Sequence, residues 1–222
     1  MTTAEDLLLI VTDPESGKPQ LDSIKADPVI GGAHLLDLVA AGRISFDGQG
    51  RKARVVVDSH APVDDPLLEQ AFARVRNRGR QTSQNTVTRL GKHGRKQVSA
   101  ALVAKGRLRQ RPAKALGIFP LSRYDVVDTG RRNDLVNRVR ASLLHGQPAD
   151  AETGPLIGLL SAADLTKLLV DKPERKLAKE RAKTIAEGDW ASEDVRKAIQ
   201  AAQSAVTAGI VAATAASAAG SS

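Results

Sequence analysis

The chain has no cysteine, so disulfides and thiolate metal centres are closed to it and a reducing compartment suits it. Aromatics are scarce, with one Trp, one Tyr and three Phe in 222 residues. The core must therefore be built from Leu, Val, Ile and Ala. His34, His60, His93 and His145 are scattered without metal-ligand spacing. There is no G-x-S-x-G elbow, no H-E-x-x-H and no P-loop. Gly48-Gln49-Gly50 leads into a strand pattern rather than a helix, which removes a dinucleotide reading. The expectation is a protein with no catalytic residues, no metal and no cofactor.

Long apolar runs are missing too. Leu7 to Val11 is too short for the core of a signal peptide. Ala205 to Gly220 carries no charge, but only Val206, Ile210 and Val211 are strongly apolar there. A membrane span needs about 20 clearly apolar residues. This stretch is expected to be a helix packed within the protein.

The most informative absence is of acid. Between Gln70 and Tyr124 there is no Asp or Glu, against 14 Lys and Arg. The rest of the chain holds 19 basic and 25 acidic residues, so the overall +8 is a local excess on a mildly acidic background. Such asymmetry speaks about partners rather than fold, and it points to a polyanion: nucleic acid or an anionic membrane.

What is present reads as mainly helix. Residues 5–11 form a short apolar element, helix or buried strand, and Asp13 to Pro19 has turn composition. Asp27 followed by Pro28 reads as a cap and first position of a helix running to Ala41, with Gly42 closing it. Ile44 and Phe46, then Val55 to Val57, read as a hairpin around Gly48–Gly50. Asp65-Pro66 opens a helix expected to reach about Asn77. A helix ends at Lys105-Gly106 and is followed by Arg107, a turn at Pro112 and a return strand at Leu116, Ile118 and Phe119. Helix, Gly, Arg and hairpin thus occur twice, at 38–44 and 102–108, as in an internal repeat. Further helices carry the stripes Leu135, Val136, Val139, Leu143 and Val195, Ile199, Ala202, Val206, Ile210. Pro155 and Pro173 open two between them, the second strongly charged. The predicted architecture is a single-domain helical bundle over 1–216 with short β-hairpins and a flexible tail at 217–222.

Within the basic segment, Arg74, Arg76, Arg78 and Arg80 read as ordinary solvated surface. Arg89, Lys92, Arg95 and Lys96 recur at three- to four-residue spacing, while Gly91 and Gly94 oppose an unbroken helix. Those glycines would let backbone N–H groups approach a phosphate at a helix start. Lys92 and Arg95 are the leading phosphate ligands, with Lys96 and Arg89 beside them. Leu116, Ile118 and Phe119 form an apolar tip framed by Arg111, Lys114 and Arg123, suited to inserting in a bilayer or to self-association. Four or five cations facing an anionic leaflet would contribute about 4–5 kcal/mol.

The residues Leu7 to Leu9, Gly32 to Ile44, Ala61-Pro62, Asp65 to Ala71, Ala101 to Gly106 and Gly117 to Phe119, in that order, resemble the Golgi phosphoprotein 3 family, in its bacterial, actinobacterial-type form. The resemblance implies a helical domain with a projecting hairpin. It implies a non-enzymatic peripheral membrane protein on the cytoplasmic face of a membrane, binding phosphatidylinositol 4-phosphate. It also implies an adaptor for the cytosolic tails of membrane enzymes, with homo-oligomers through the hairpin. The family pocket uses a Trp and three Arg. Two of the Arg fall on Lys92 and Arg95, the third falls on Gly31, and the Trp falls near Leu21-Asp22; Trp190 lies elsewhere. The alternative is a winged-helix-like nucleic-acid-binding protein, with nucleic acid the less favoured partner.

Overall fold

A computed structural model describes residues 1–48, 53–111, 114–115, 119–120, 123–187 and 193–219. Residues 5–11 prove helical: α1 spans Thr3–Val11, started by a capping box in which Thr2 and Glu5 satisfy each other's backbone N–H. Ala4 to Val11 are all buried. An apolar run of that length, enclosed on every side, can be helix or strand by pattern alone, and here packing decides.

Helix α2, Ser23–Ala40, is the hub. It touches α1 and, as they are introduced below, α4 (Ser83–Gly91), α5 (Gly94–Ala104), α7 (Thr153–Ala162) and α9 (Glu193–Ala219). It starts one turn earlier than Asp27-Pro28 suggested. Asp22 is the cap, accepting from the Lys25 backbone N–H at 2.9 Å. Pro28 lies inside the helix, and Asp27 instead accepts from the His93 backbone N–H at 3.4 Å. Ala26 in the extra turn and Leu21 just before it are buried, which with the Asp22 cap outweighs the signal of the proline.

Strands β1 (Ile44–Asp47) and β2 (Arg54–Val57) pair antiparallel, and β3 (Gln81–Thr82) adds to β2. Helix α3 runs only from Pro66 to Phe72. Beyond it the chain continues to Asn77 as turns, with Val75 and Arg76 N–H both bonding the Phe72 carbonyl, so the predicted helix is shortened by about one turn. Strand β4 (Leu108–Arg111) pairs with β7 (Arg123–Val126), and β5 (Lys114–Ala115) with β6 (Phe119–Pro120). The main return strand is therefore β7, further along than expected. Leu116 and Ile118 lie outside the described residues; Phe119 is in β6, paired with Ala115.

The two helix–Gly–Arg–hairpin units share one cap geometry. Gly42 and Gly106 have φ of +62° and +67°. Arg43 N–H reaches back to the Leu38 carbonyl as Arg107 N–H does to Leu102, and the returning strand bonds the Arg43 or the Arg107 carbonyl. Helices α6 (Thr129–His145), α7, α8 (Arg175–Glu187) and α9 complete a mainly α bundle with small antiparallel sheets. Helix α7 is buried around most of its length, whereas α8 buries only Ala178, Ala182 and Ala186. Helix α9 is long and apolar enough to cross a membrane by length and composition, yet Ala198, Ile199, Ala202, Ala205 and Val206 lie in the core.

Helices α2 and α4 cross backbone to backbone. A Cβ on Gly31 would sit 2.1 Å from the Val87 carbonyl oxygen, and one on Gly91 would sit 1.8 Å from that of Asp27. Backbone cannot yield as a flexible side chain can. Gly31→Ala or Gly91→Ala should cost at least about 1–3 kcal/mol, read as a lower urea midpoint; wild-type stability in either variant would show that the helices separate freely.

Buried His34 makes stability pH-dependent. Burial, then the nearby Arg74 charge, lowers its pKa from 6.5 to about 4. The unfolded chain binds the proton first, so this contribution is present above pH 6.5 and is lost as pH falls toward 4, about 3 kcal/mol in all. Asp37 opposes it. Its pKa is raised to about 6, mainly by desolvation, so its contribution is present below pH 3.8 and lost as pH rises through 6. His34→Met should flatten the acid limb of a stability-against-pH curve, and Asp37→Asn should steepen it.

Candidate anion site at the start of helix α5

Among the described residues, six of the 14 cations between Gln70 and Tyr124 are paired with carboxylates from elsewhere. Arg76 pairs with Glu69 and lies over the Phe72 ring; Arg80 pairs with Asp47. Lys105 reaches both Glu5 and Asp65, at 2.7 and 2.8 Å. Arg107 pairs with Asp128, and Arg109 and Arg111 share Asp125. Among the described residues, Arg89, Lys92, Arg95 and Lys96 have no carboxylate partner; Arg78 and Arg123 are the others with described side chains that lack one, apart from Arg74. Four uncompensated cations thus fall within eight consecutive positions.

Those positions are a helix break. Helix α4 ends at Gly91, Lys92 is its C-cap and His93 takes a left-handed φ of 59° before α5 begins at Gly94. The expected interruption is there, but its glycines serve packing. Gly91 admits the α2 backbone, and a Cβ on Gly94 would meet Ile30 Cγ2 at 2.6 Å. The reading that they clear space for a phosphate is corrected.

The start of α5 is electrostatically inverted. Thr2, Asp22, Asp65, Thr82 and Asp128 cap α1, α2, α3, α4 and α6 with their side chains, but His93 makes no such bond to α5. The first turn of α5 holds no acid and carries Arg95 and Lys96. A helix N-terminus has unpaired N–H groups and about half a positive charge, so cations there are unfavourable by roughly 0.3–1 kcal/mol each. An anion satisfies both the amides and the side chains.

Arg95 and Lys96 line a cleft of about 590 Å³ with Pro19, Ser99, Ala100, Val103, Ala104, Gln110 and Tyr124. Arg95 also donates to the Leu21 carbonyl at 3.1 Å. The far wall is stitched by Tyr124 N–H to the Gly17 carbonyl at 2.8 Å, which ties the Asp13–Pro19 turn to β7. Lys92 and Arg89 are exposed along the junction and do not line this cleft. A separate groove of about 730 Å³ between the start of α4 and α9, lined by Thr82, Ser83, Gln203, Ser204 and Val211 among others, contains no charged residue.

Arg74 is not ordinary surface. Its guanidinium donates to the carbonyls of Leu90 at 3.1 Å and Lys92 at 3.0 Å, and to Gln97 Oε1 at 2.8 Å. It caps the end of α4, tethers α5 and cancels the carbonyl charge that an incoming anion would otherwise meet. Nothing local in the sequence marks it, because its partners lie 16 to 23 residues away.

The family model for Golgi phosphoprotein 3 (GPP34) matches residues 4–202. The chain belongs to this family. The Golgi phosphoprotein 3 family is non-enzymatic. No curated protein matches the sequence. The positions expected for the rest of the family pocket are committed to structure in this member: Leu21 is fully buried, Asp22 caps α2 and Gly31 faces the α4 backbone. An Arg at 31 would collide with the Val87 carbonyl.

Arg74→Met should loosen the α4–α5 junction by about 2–3 kcal/mol, since bonds to a charged donor are lost from three acceptors. Hydrogen exchange at residues 92–97 should accelerate selectively; unchanged protection there would remove Arg74 from its positioning role.

Proposed function

We propose that this Golgi phosphoprotein 3 family member is a peripheral membrane protein that holds an anionic phospholipid headgroup at the start of α5. The observation that carries the proposal is the coincidence of an uncapped helix N-terminus with the uncompensated cations Lys92, Arg95 and Lys96. Lys92 and Arg95 meet the phosphate; Lys96 and Arg89 extend the field. Arg74 holds the turn that carries them. The partly apolar cleft beside Arg95, floored by Ala100, Val103 and Ala104, suits a headgroup arriving with its lipid. Phosphatidylinositol 4-phosphate is the first headgroup to try. With Leu21 and Gly31 in place of the family's Trp and Arg, selectivity among anionic headgroups is expected to be low. Membership of a non-enzymatic family supports a role as a membrane-recruited adaptor for cytosolic tails, on the cytoplasmic face.

The test is co-sedimentation with phosphatidylcholine vesicles, with and without phosphatidylserine or phosphatidylinositol 4-phosphate. Binding should require anionic lipid. Each cation near the leaflet contributes roughly 1 kcal/mol, so Lys92→Ala/Arg95→Ala should weaken partitioning about 30-fold. Equal binding to neutral and anionic vesicles, or an unaffected double variant, would sink the proposal.

A further inference from the structure

Helix α9 runs antiparallel to α2. A Cβ on Gly32 would meet Val206 and Ala202, and one on Gly209 would meet Pro28 at 3.1 Å. Rising residue numbers in α9 thus pass falling ones in α2. At 1.5 Å per residue, α9 continues about 7 Å past the first residue of α2. Packing ends as it does so: Val211 is 63% exposed, and Ala212 and residues 214–219 are exposed. No charged residue follows Lys197. An uncharged, solvent-facing helical segment therefore emerges where α2 begins.

That end of the bundle gathers cations from three separate parts of the chain. Arg95 bonds the Leu21 carbonyl just before α2. Lys25, in the first turn of α2, donates to the Ala163 carbonyl at 2.7 Å. The next residue, Asp164, has a left-handed φ of 55° and accepts from Lys167 at 2.5 Å. Its carboxyl is held below the usual range by that bond, and by the charges of Lys167, Lys179 and Lys25. With Asp22 beside Lys25 as the second carboxylate at this corner, the three ammonium groups leave an excess of one positive charge. Lys179 comes from α8, whose composition alone marks it as an ordinary solvated helix.

We propose that the corner formed by Lys25, Lys167 and Lys179, together with the exposed segment of α9 from Val211 onward, is a second contact surface for an anionic bilayer. It rests on the headgroup reading above, which supplies the occupant. Charge complementarity selects an anionic membrane, and Arg95 at the same end of α2 makes the surface continuous with the α5 site. One extended surface, touching the bilayer at the α5 site and again at this corner, fixes the orientation of the molecule, which one headgroup pocket cannot do. The cations hold α9 against the headgroup region, and Val211 supplies an apolar contact.

The absence of cysteine makes the test direct. In the full chain, Val211→Cys is labelled with a polarity-sensitive fluorophore and titrated with phosphatidylcholine vesicles, with and without phosphatidylserine. The emission should shift to the blue on anionic vesicles alone. Lys167→Ala/Lys179→Ala, both exposed and away from the α5 site, should weaken partitioning about fivefold per lysine with unchanged helix content. A silent probe with unaffected partitioning of this variant overturns the proposal, even if Lys92→Ala/Arg95→Ala abolishes binding. The reverse pattern, a responding probe and a Lys167/Lys179 effect with no Lys92/Arg95 effect, upholds this surface and removes the α5 site. Release from vesicles by DNA at equal phosphate concentration, with the probe silent throughout, assigns the surface to nucleic acid and also overturns it.

Discussion

The contact on which the rest depends is the close crossing of α2 and α4. Gly31 and Gly91 let the two backbones touch, each opposite a carbonyl of the other helix. Helix α4 ends at this contact, at Gly91. The chain then turns through the left-handed His93 and restarts as α5. Beside this packing constraint lie a helix end, which Arg74 neutralises, and a helix start without a side-chain cap. The same constraint excludes a large side chain at 31. The junction is both the source of the candidate anion site and the reason that site differs from the expected family pocket.

Electrostatics follow from how the bundle closes around that junction. Glu5, Asp47, Asp65, Asp125 and Asp128 come from outside the acid-free stretch and neutralise cations within it. Pairs of this kind contribute little to stability when exposed. They do decide where the remaining positive field is found. In the segment that is most basic by composition, Arg107, Arg109 and Arg111 of the hairpin are paired, while a run of cations without carboxylate partners is concentrated at α4–α5. Cations from residues 25, 167 and 179 collect about Asp164 without any local excess to announce them.

Much of the fold was legible. The αL glycines at 42 and 106, the stripes of α6 and α9 and the β1–β2 hairpin all stand where composition and spacing put them. The misreadings share a cause. Asp27-Pro28 looks like a helix start, but the Asp22 cap and burial of Ala26 extend α2 back to Ser23. The stretch after Phe72 keeps a helix-compatible composition and some of the bonds, but runs as turns instead of regular helix. Both are decisions made by packing against distant residues, which a local signal does not contain.

For the site, the residue types and the break at Gly91–Gly94 could be read in advance, since charge and glycine are local properties. Arg74 could not, nor could the true purpose of the two glycines. By itself the sequence determined most of the elements, the glycine caps at 42 and 106 and a surplus of cations between Gln70 and Tyr124. The tertiary structure alone decided which of those cations remain free. An ion pair depends on distance in space, and the carboxylates that pair with six of these cations come from residues up to about a hundred positions away in the chain.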